Sequence, residues 1–180
     1  MKNYIEESPV SKFLFANTKM AVVWLIIRVY VGWAWFQAGL HKVGTPAWTG
    51  EDAGTALTGF VNGALAKTAG DHPDVTGWYA WFLENCVLPY ADTWAHVIAW
   101  GEVLVGIALI VGLFTGIAAF FGTFMNMSFM LAGTISINPI LFALGTGLVL
   151  AWRVAGYVGL DRVVLPHLGT PWSPGNLFKK

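Results

Sequence analysis

WGEVLVGIALIVGLF, residues 100–114, is apolar or glycine at every position but one, and that position is Glu102. An ionised carboxylate inside such a run is costly unless a partner compensates it. The run is too apolar for one face of an amphipathic helix, so it belongs to a fully buried helix or to a membrane span. The whole chain decides between them. Of its 180 residues 56% are hydrophobic and only 11% charged, less than half of the roughly 25% usual in soluble domains. Mean hydropathy is +0.61. An integral membrane protein follows. The formal net charge is +0, so the basic stripe that nucleic acid requires is missing and no nucleic-acid partner is expected.

A hydrocarbon core of about 30 Å takes about 20 helical residues. Four stretches qualify, at about residues 20–40, 94–113, 116–134 and 139–156. The expected fold is all-α: a four-transmembrane-helix bundle forming one membrane domain over residues 1–180. Asn138-Pro139 marks the entry to the fourth span, since Pro suits a first helical turn. The first span reads as an uncleaved anchor rather than a signal peptide, being too long and bulky where a cleavage motif would lie. Lys2, Lys12 and Lys19 precede it, and Arg153, Arg162, Lys179 and Lys180 lie near the other end. The loop over about residues 41–93 is mostly acidic. The positive-inside rule then puts both termini in the cytoplasm and the long loop outside the plasma membrane.

That loop contains two amphipathic helices. TALTGFVNGALAKTAG, residues 55–70, repeats Leu57, Phe60, Val61, Ala64 and Leu65 at helical spacing; WYAWFLENCVLPYADTW, residues 78–94, is aromatic. Both suit the outer interface. Trp48, Trp78, Trp81 and Trp94 are expected in an outer aromatic belt, and Trp24, Trp33, Trp35 and Trp100 within spans. The cytoplasmic tail is expected over about residues 159–180, and its last part, LGTPWSPGNLFKK (residues 168–180), has no periodicity and reads as extended or loosely ordered chain. Cys86 is the one cysteine, which excludes an internal disulfide or a CxxC redox pair.

Helical spacing puts Ala95, Ala99, Glu102 and Gly106 on one face, and small residues there admit a neighbouring backbone. Arg28, Gly32, Trp35, Gly39 and Lys42 make a stripe on the first span. Arg28 lies roughly 12 Å from its cytoplasmic end at 1.5 Å per residue, and Glu102 a similar distance from the outer end. The two would differ in depth by roughly 6 Å across the bilayer core, so an Arg28–Glu102 ion pair is the expected partnership. Arg153 is the competing partner. On the third span Ala119, Gly122, Asn126 and Gly133 share a face, which turns Asn126 inward. Gln37, His41, Lys42, His96 and Asn138 gather at the outer end of the spans.

RVYVGWAWFQAGLHKV, residues 28–43, and GEVLVGIALIVGLFTGIAAFFG, residues 101–122, resemble the two signatures of the DoxX/DoxD family: Arg, glycines and Lys on the first span, then Glu, Gly and a GL-x-T turn. The resemblance covers about residues 20–159, and the long aromatic loop is closer to the DoxD branch. It implies the membrane subunit of a thiosulfate:quinone oxidoreductase. On that reading quinone is the electron acceptor, Glu102 and Arg28 handle its carbonyl and proton, and Lys42 binds a small sulfur oxyanion beside His41 or His96. Trp35 and Trp100 offer flat surfaces to the ring, with Gln37, Asn126, Asn138 and Arg153 as further polar contacts. No metal or flavin is expected; a site from His41, His96 and a carboxylate lacks HxxxH or HExxH spacing. The partners are the lipid bilayer, quinone and a second redox subunit. Two other readings are open: a non-catalytic scaffold recruiting a soluble redox enzyme, and a small anion carrier.

Overall fold

A computed structural model describes residues 6–170 and 173–178. In chain order it contains α1 (Pro9–Ala16), α2 (Ala21–Val43), α3 (Pro46–Thr49), α4 (Thr55–Leu65), α5 (Gly77–Phe82), α6 (Ala91–Val111), α7 (Thr115–Leu131), α8 (Asn138–Leu150), α9 (Trp152–Ala155) and α10 (Asp161–Leu168). The strands Gly169–Thr170 and Ser173–Pro174 pair antiparallel; the remaining regular structure among the described residues is helical.

The core is the antiparallel packing of α2 against α6, with α7 and α8 forming the second layer. Small residues set that first contact. A Cβ on Gly39 would lie 2.6 Å from Val103 N and 3.0 Å from Ala99 O; one on Gly32 would lie 2.9 Å from Leu109 Cβ. Gly106 lies as close to Phe36. The backbones therefore approach to a distance no larger side chain allows, as small-residue interfaces do where lipid removes the hydrophobic drive. Trp24, Val31, Trp35, Leu109, Ala119 and Leu148 fill the space around this seam.

Two helical runs, Thr18–Val43 and Gly77–Val111, are long and apolar enough to cross a membrane, with mean hydropathies of 1.4 and 1.9. Thr115–Leu131 and Asn138–Leu150 are apolar but shorter. The expected fourth span is thus interrupted: Ala151 leaves the helical region (φ −90°, ψ 12°) and α9 restarts directly after it.

The long loop folds onto the N-terminal part of α6. In α4, Leu57, Val61 and Ala64 are buried, and they join Val75, Tyr79, Leu83 and Val87 in a second apolar cluster. The expected second amphipathic helix, over residues 78–94, is helical throughout but changes pitch twice. α5 passes through a wide turn at Leu83–Val87 and a tight one at Leu88–Tyr90, where Pro89 supplies no N–H, before α6 begins. Lys67 Nζ donates to Gly133 O at 2.7 Å and Tyr79 OH to Ser128 O at 2.8 Å, tying this cap to the far end of α7. Trp78 and Trp81 are exposed, while Trp48 and Trp94 are partly buried in the cap.

The extended form expected over residues 168–180 is seen in the paired strands Gly169–Thr170 and Ser173–Pro174, and the segment before them is helical. α10 is a helix, and Asp161 at its start is buried. Its carboxylate accepts from Phe114 N (2.6 Å) and Thr115 N (2.9 Å), the unpaired donors at the start of α7. Leu160 N and Asp161 N donate to Val111 O and Gly112 O. These contacts span some fifty residues of sequence, so local periodicity could not show them. Of the charges used to expect cytoplasmic termini, Lys2, Lys179 and Lys180 lie outside the described residues.

Candidate functional site

Glu102 is fully buried, and its partner is Lys42. Lys42 Nζ donates to Glu102 Oε2 at 2.6 Å. This corrects the Arg28 and Arg153 expectations, and the seam between α2 and α6 explains why. Gly39 meets Ala99 and Val103, and Gly32 meets Leu109. That register sets Glu102 beside the C-terminal end of α2. Arg28 lies fourteen positions before Lys42, about 21 Å along the helix axis. The sequence estimate assumed that α2 and α6 end at one level. Instead α6 begins at Ala91 and its first turns run up beside the cap, where a Cβ on Gly54 would lie 2.6 Å from Asp92 N.

Arg28 closes the opposite end. It is buried, its Nη2 donates to Val158 O at 2.7 Å, and its charge attracts that of Asp161. Gly112, at φ 71°, has no room for a Cβ because Arg28 Nη1 fills it, and Gly159 sits against the same nitrogen. The guanidinium thus braces the α6–α7 turn against the start of the tail. Arg153 is exposed, with its guanidinium over the Trp152 ring at 5.9 Å.

The Lys42–Glu102 pair forms part of the wall of a cavity of about 330 Å³. Trp35 and Ala38 from α2, Phe129 from α7 and Leu141 from α8 line its sides. Trp48, Leu57 and Phe60, from α3 and α4, come from the cap. Thr134, Ser136 and Asn138 add a polar edge from the α7–α8 connection. Trp35 and Phe129 lie 6.3 Å apart, Phe60 and Phe129 6.0 Å apart and edge-on. Lys42 Nζ also sits 5.2 Å from the Trp48 ring centre. The side chain of Lys42 is 18% exposed and that of Glu102 1%, so the lysine joins the buried carboxylate to the cavity mouth.

Of the residues singled out in the sequence, the cavity brings together Glu102, Lys42, Trp35 and Asn138. The others lie elsewhere. Gln37 and His41 are exposed on α2, and Trp100 is half-exposed on the outward side of α6. His96 Nδ1 contacts its own helix, at 2.9 Å from Asp92 O and 3.2 Å from Asp92 Oδ1. Neither histidine lines the cavity that holds Lys42. Asn126 is fully buried, and neither of its amide atoms has a hydrogen-bond partner among the described residues, but it does not line the cavity.

The profile of the DoxX family matches residues 23–139, which include the pair and every cavity-lining residue named above except Leu141. This chain belongs to the DoxX family. No curated protein and no solved structure matches it. Family and long apolar helices together make it a membrane protein whose spans contact the bilayer. Within this DoxX chain, sequence reasoning missed Trp48, Leu57, Phe60 and Phe129 as site residues. Trp48 read as belt and Leu57 as interface packing, both sound by local pattern. Only folding of the loop over α6 turns them toward Lys42. Asp161 was missed because its partners come from the α6–α7 turn.

Proposed function

We propose that this protein is the quinone-binding membrane subunit of an oxidoreductase, crossing the plasma membrane four times with both termini in the cytoplasm. The crossings are α2, α6, α7 and α8 continued by α9. Contact of α1 with α9, and of Arg28 with Val158, brings the N-terminal and C-terminal segments to one end, as an even number of crossings requires.

One observation carries the quinone reading: a buried ion pair opens onto an aromatic cavity of about 330 Å³. Ligand pockets begin at about 300 Å³ and are mostly apolar with a few placed polar groups. A quinone head is flat, apolar and polar at its oxygens. Trp35, Phe60 and Phe129 offer surfaces to the ring, and Lys42 and Glu102 offer a donor and an acceptor at its edge. A bound quinone supplies two-electron redox chemistry. This chain's part is to hold the ring, exclude water beneath the cap, and pass protons between Glu102 and the mouth through Lys42.

The donor, thiosulfate or a related reduced sulfur anion, we assign to a second redox subunit. Lys42 is already neutralised by Glu102, and Arg28 is committed to the opposite end. The same neutrality weighs against an anion carrier.

The test is purification in a mild detergent with solvent extraction and chromatography of bound lipids. A quinone should co-purify at near-stoichiometric yield. Glu102→Gln should abolish quinone reduction in the assembled complex while the folded protein persists. Wild-type protein that carries no quinone and binds none when titrated overturns the reading.

A further inference from the structure

Glu102 has one carboxylate oxygen committed and one unpaired. Oε2 accepts from Lys42, and Oε1, buried, has no partner among the described residues. An ionised carboxylate is an acceptor only, and a lysine ammonium a donor only. Both residues line one cavity, and together they are complementary to a group that both donates and accepts. A ring hydroxyl is such a group, giving its hydrogen to Oε1 and taking one from Nζ. A ring carbonyl can use Nζ but has nothing to offer Oε1, so its binding leaves a buried charged oxygen unsatisfied, which is expensive.

From this we infer that the cavity is selective for the reduced, hydroxyl-bearing form of the ring, a quinol, over the quinone. The inference rests on the quinone reading of the site and adds a redox preference to it. With one more hydrogen bond to a charged group, the quinol should bind at least about tenfold more tightly. Tighter binding of the reduced form raises the potential of the bound couple, by about 30 mV per tenfold for two electrons. The site would draw electrons onto the ring and hold the product until Lys42 and Glu102 release it.

The experiment is anaerobic titration calorimetry on the full chain in detergent, with a short-tailed benzoquinol and its benzoquinone. A redox-inert pair, a 4-alkylphenol and its methyl ether, serves as a second probe. The expected result is at least about tenfold preference for quinol and phenol. In Glu102→Gln the preference should fall below about threefold, because the amide can turn an N–H toward a carbonyl. Lys42→Arg, which keeps a cation beside Glu102, should retain it. Near-ultraviolet circular dichroism establishes that each variant is folded. Equal affinity for both redox forms, or preference for quinone, overturns this inference and leaves the quinone reading standing. Binding of none of the four probes overturns both.

Discussion

Lys42 Nζ lies 2.6 Å from Glu102 Oε2, while Arg28, on the same stripe of α2, donates to Val158 toward the other end of that helix. The two cations therefore have different work. Lys42 keeps a charge inside the cavity wall, and Arg28 holds the tail to the α6–α7 turn.

If the carboxylate is held by Lys42 alone, Lys42→Met should destabilise the protein by about 3–5 kcal/mol, the usual result of stripping a buried charge of its partner. The double variant Lys42→Met with Glu102→Met removes the orphan charge and should recover most of that loss. Unfolding in graded denaturing detergent measures both. Additive losses would show that the pair is not coupled.

The separate role of Arg28 predicts an opposite pattern. Arg28→Met should lower stability, because Asp161 loses its counter-charge and Val158 O its donor. Ligand affinity of the folded fraction should stay within about twofold, the site lying some 20 Å away. Asp161→Ala should cost about 1–2 kcal/mol through loss of the α7 cap. Thermal unfolding and ligand titration on the same preparations separate the two quantities. Loss of binding without loss of stability in Arg28→Met would restore that residue to the site.

Gly39→Val tests the seam. Its side chain would collide with Val103 and Ala99, pushing α2 from α6 and parting Lys42 from Glu102. The expected outcome is a destabilisation of about 1–3 kcal/mol, typical of overpacking, together with weaker ligand binding. Gly59→Val, where a Cβ meets nothing, is the control and should change neither. Equal effects at both positions would show that the seam does not set the site.

Ala38→Phe should fill the cavity. Ala38 lines the wall from α2 and is partly exposed, so a larger side chain has somewhere to go. Quinone recovery after purification should fall at least about tenfold, the loss of roughly 1.4 kcal/mol of binding. Retained quinone would move the binding site elsewhere.

Some of this was legible along the chain because helices repeat locally. Ala95, Ala99, Glu102 and Gly106 share a face by spacing alone, and all four are buried. Arg28, Gly32, Trp35 and Gly39 behave the same way on α2. The amphipathic pattern of Leu57, Val61 and Ala64 likewise foretold a helix with one buried side. Partner choice was not legible. A stripe says which direction a side chain faces, not which residue of another helix stands opposite.

By itself, then, the sequence determined that apolar helices form, which faces they bury, and that a carboxylate enters the interior with basic residues on a neighbouring stripe. Only the tertiary structure decided that Lys42 rather than Arg28 meets it, that the loop helices roof the cavity, and that Asp161 anchors the tail. The reason is that periodicity is a property of one segment, whereas axial register comes from contact between segments. Here Gly32, Gly39 and Gly106 set that register where two backbones touch, and a shift of a few residues would give Glu102 a different partner.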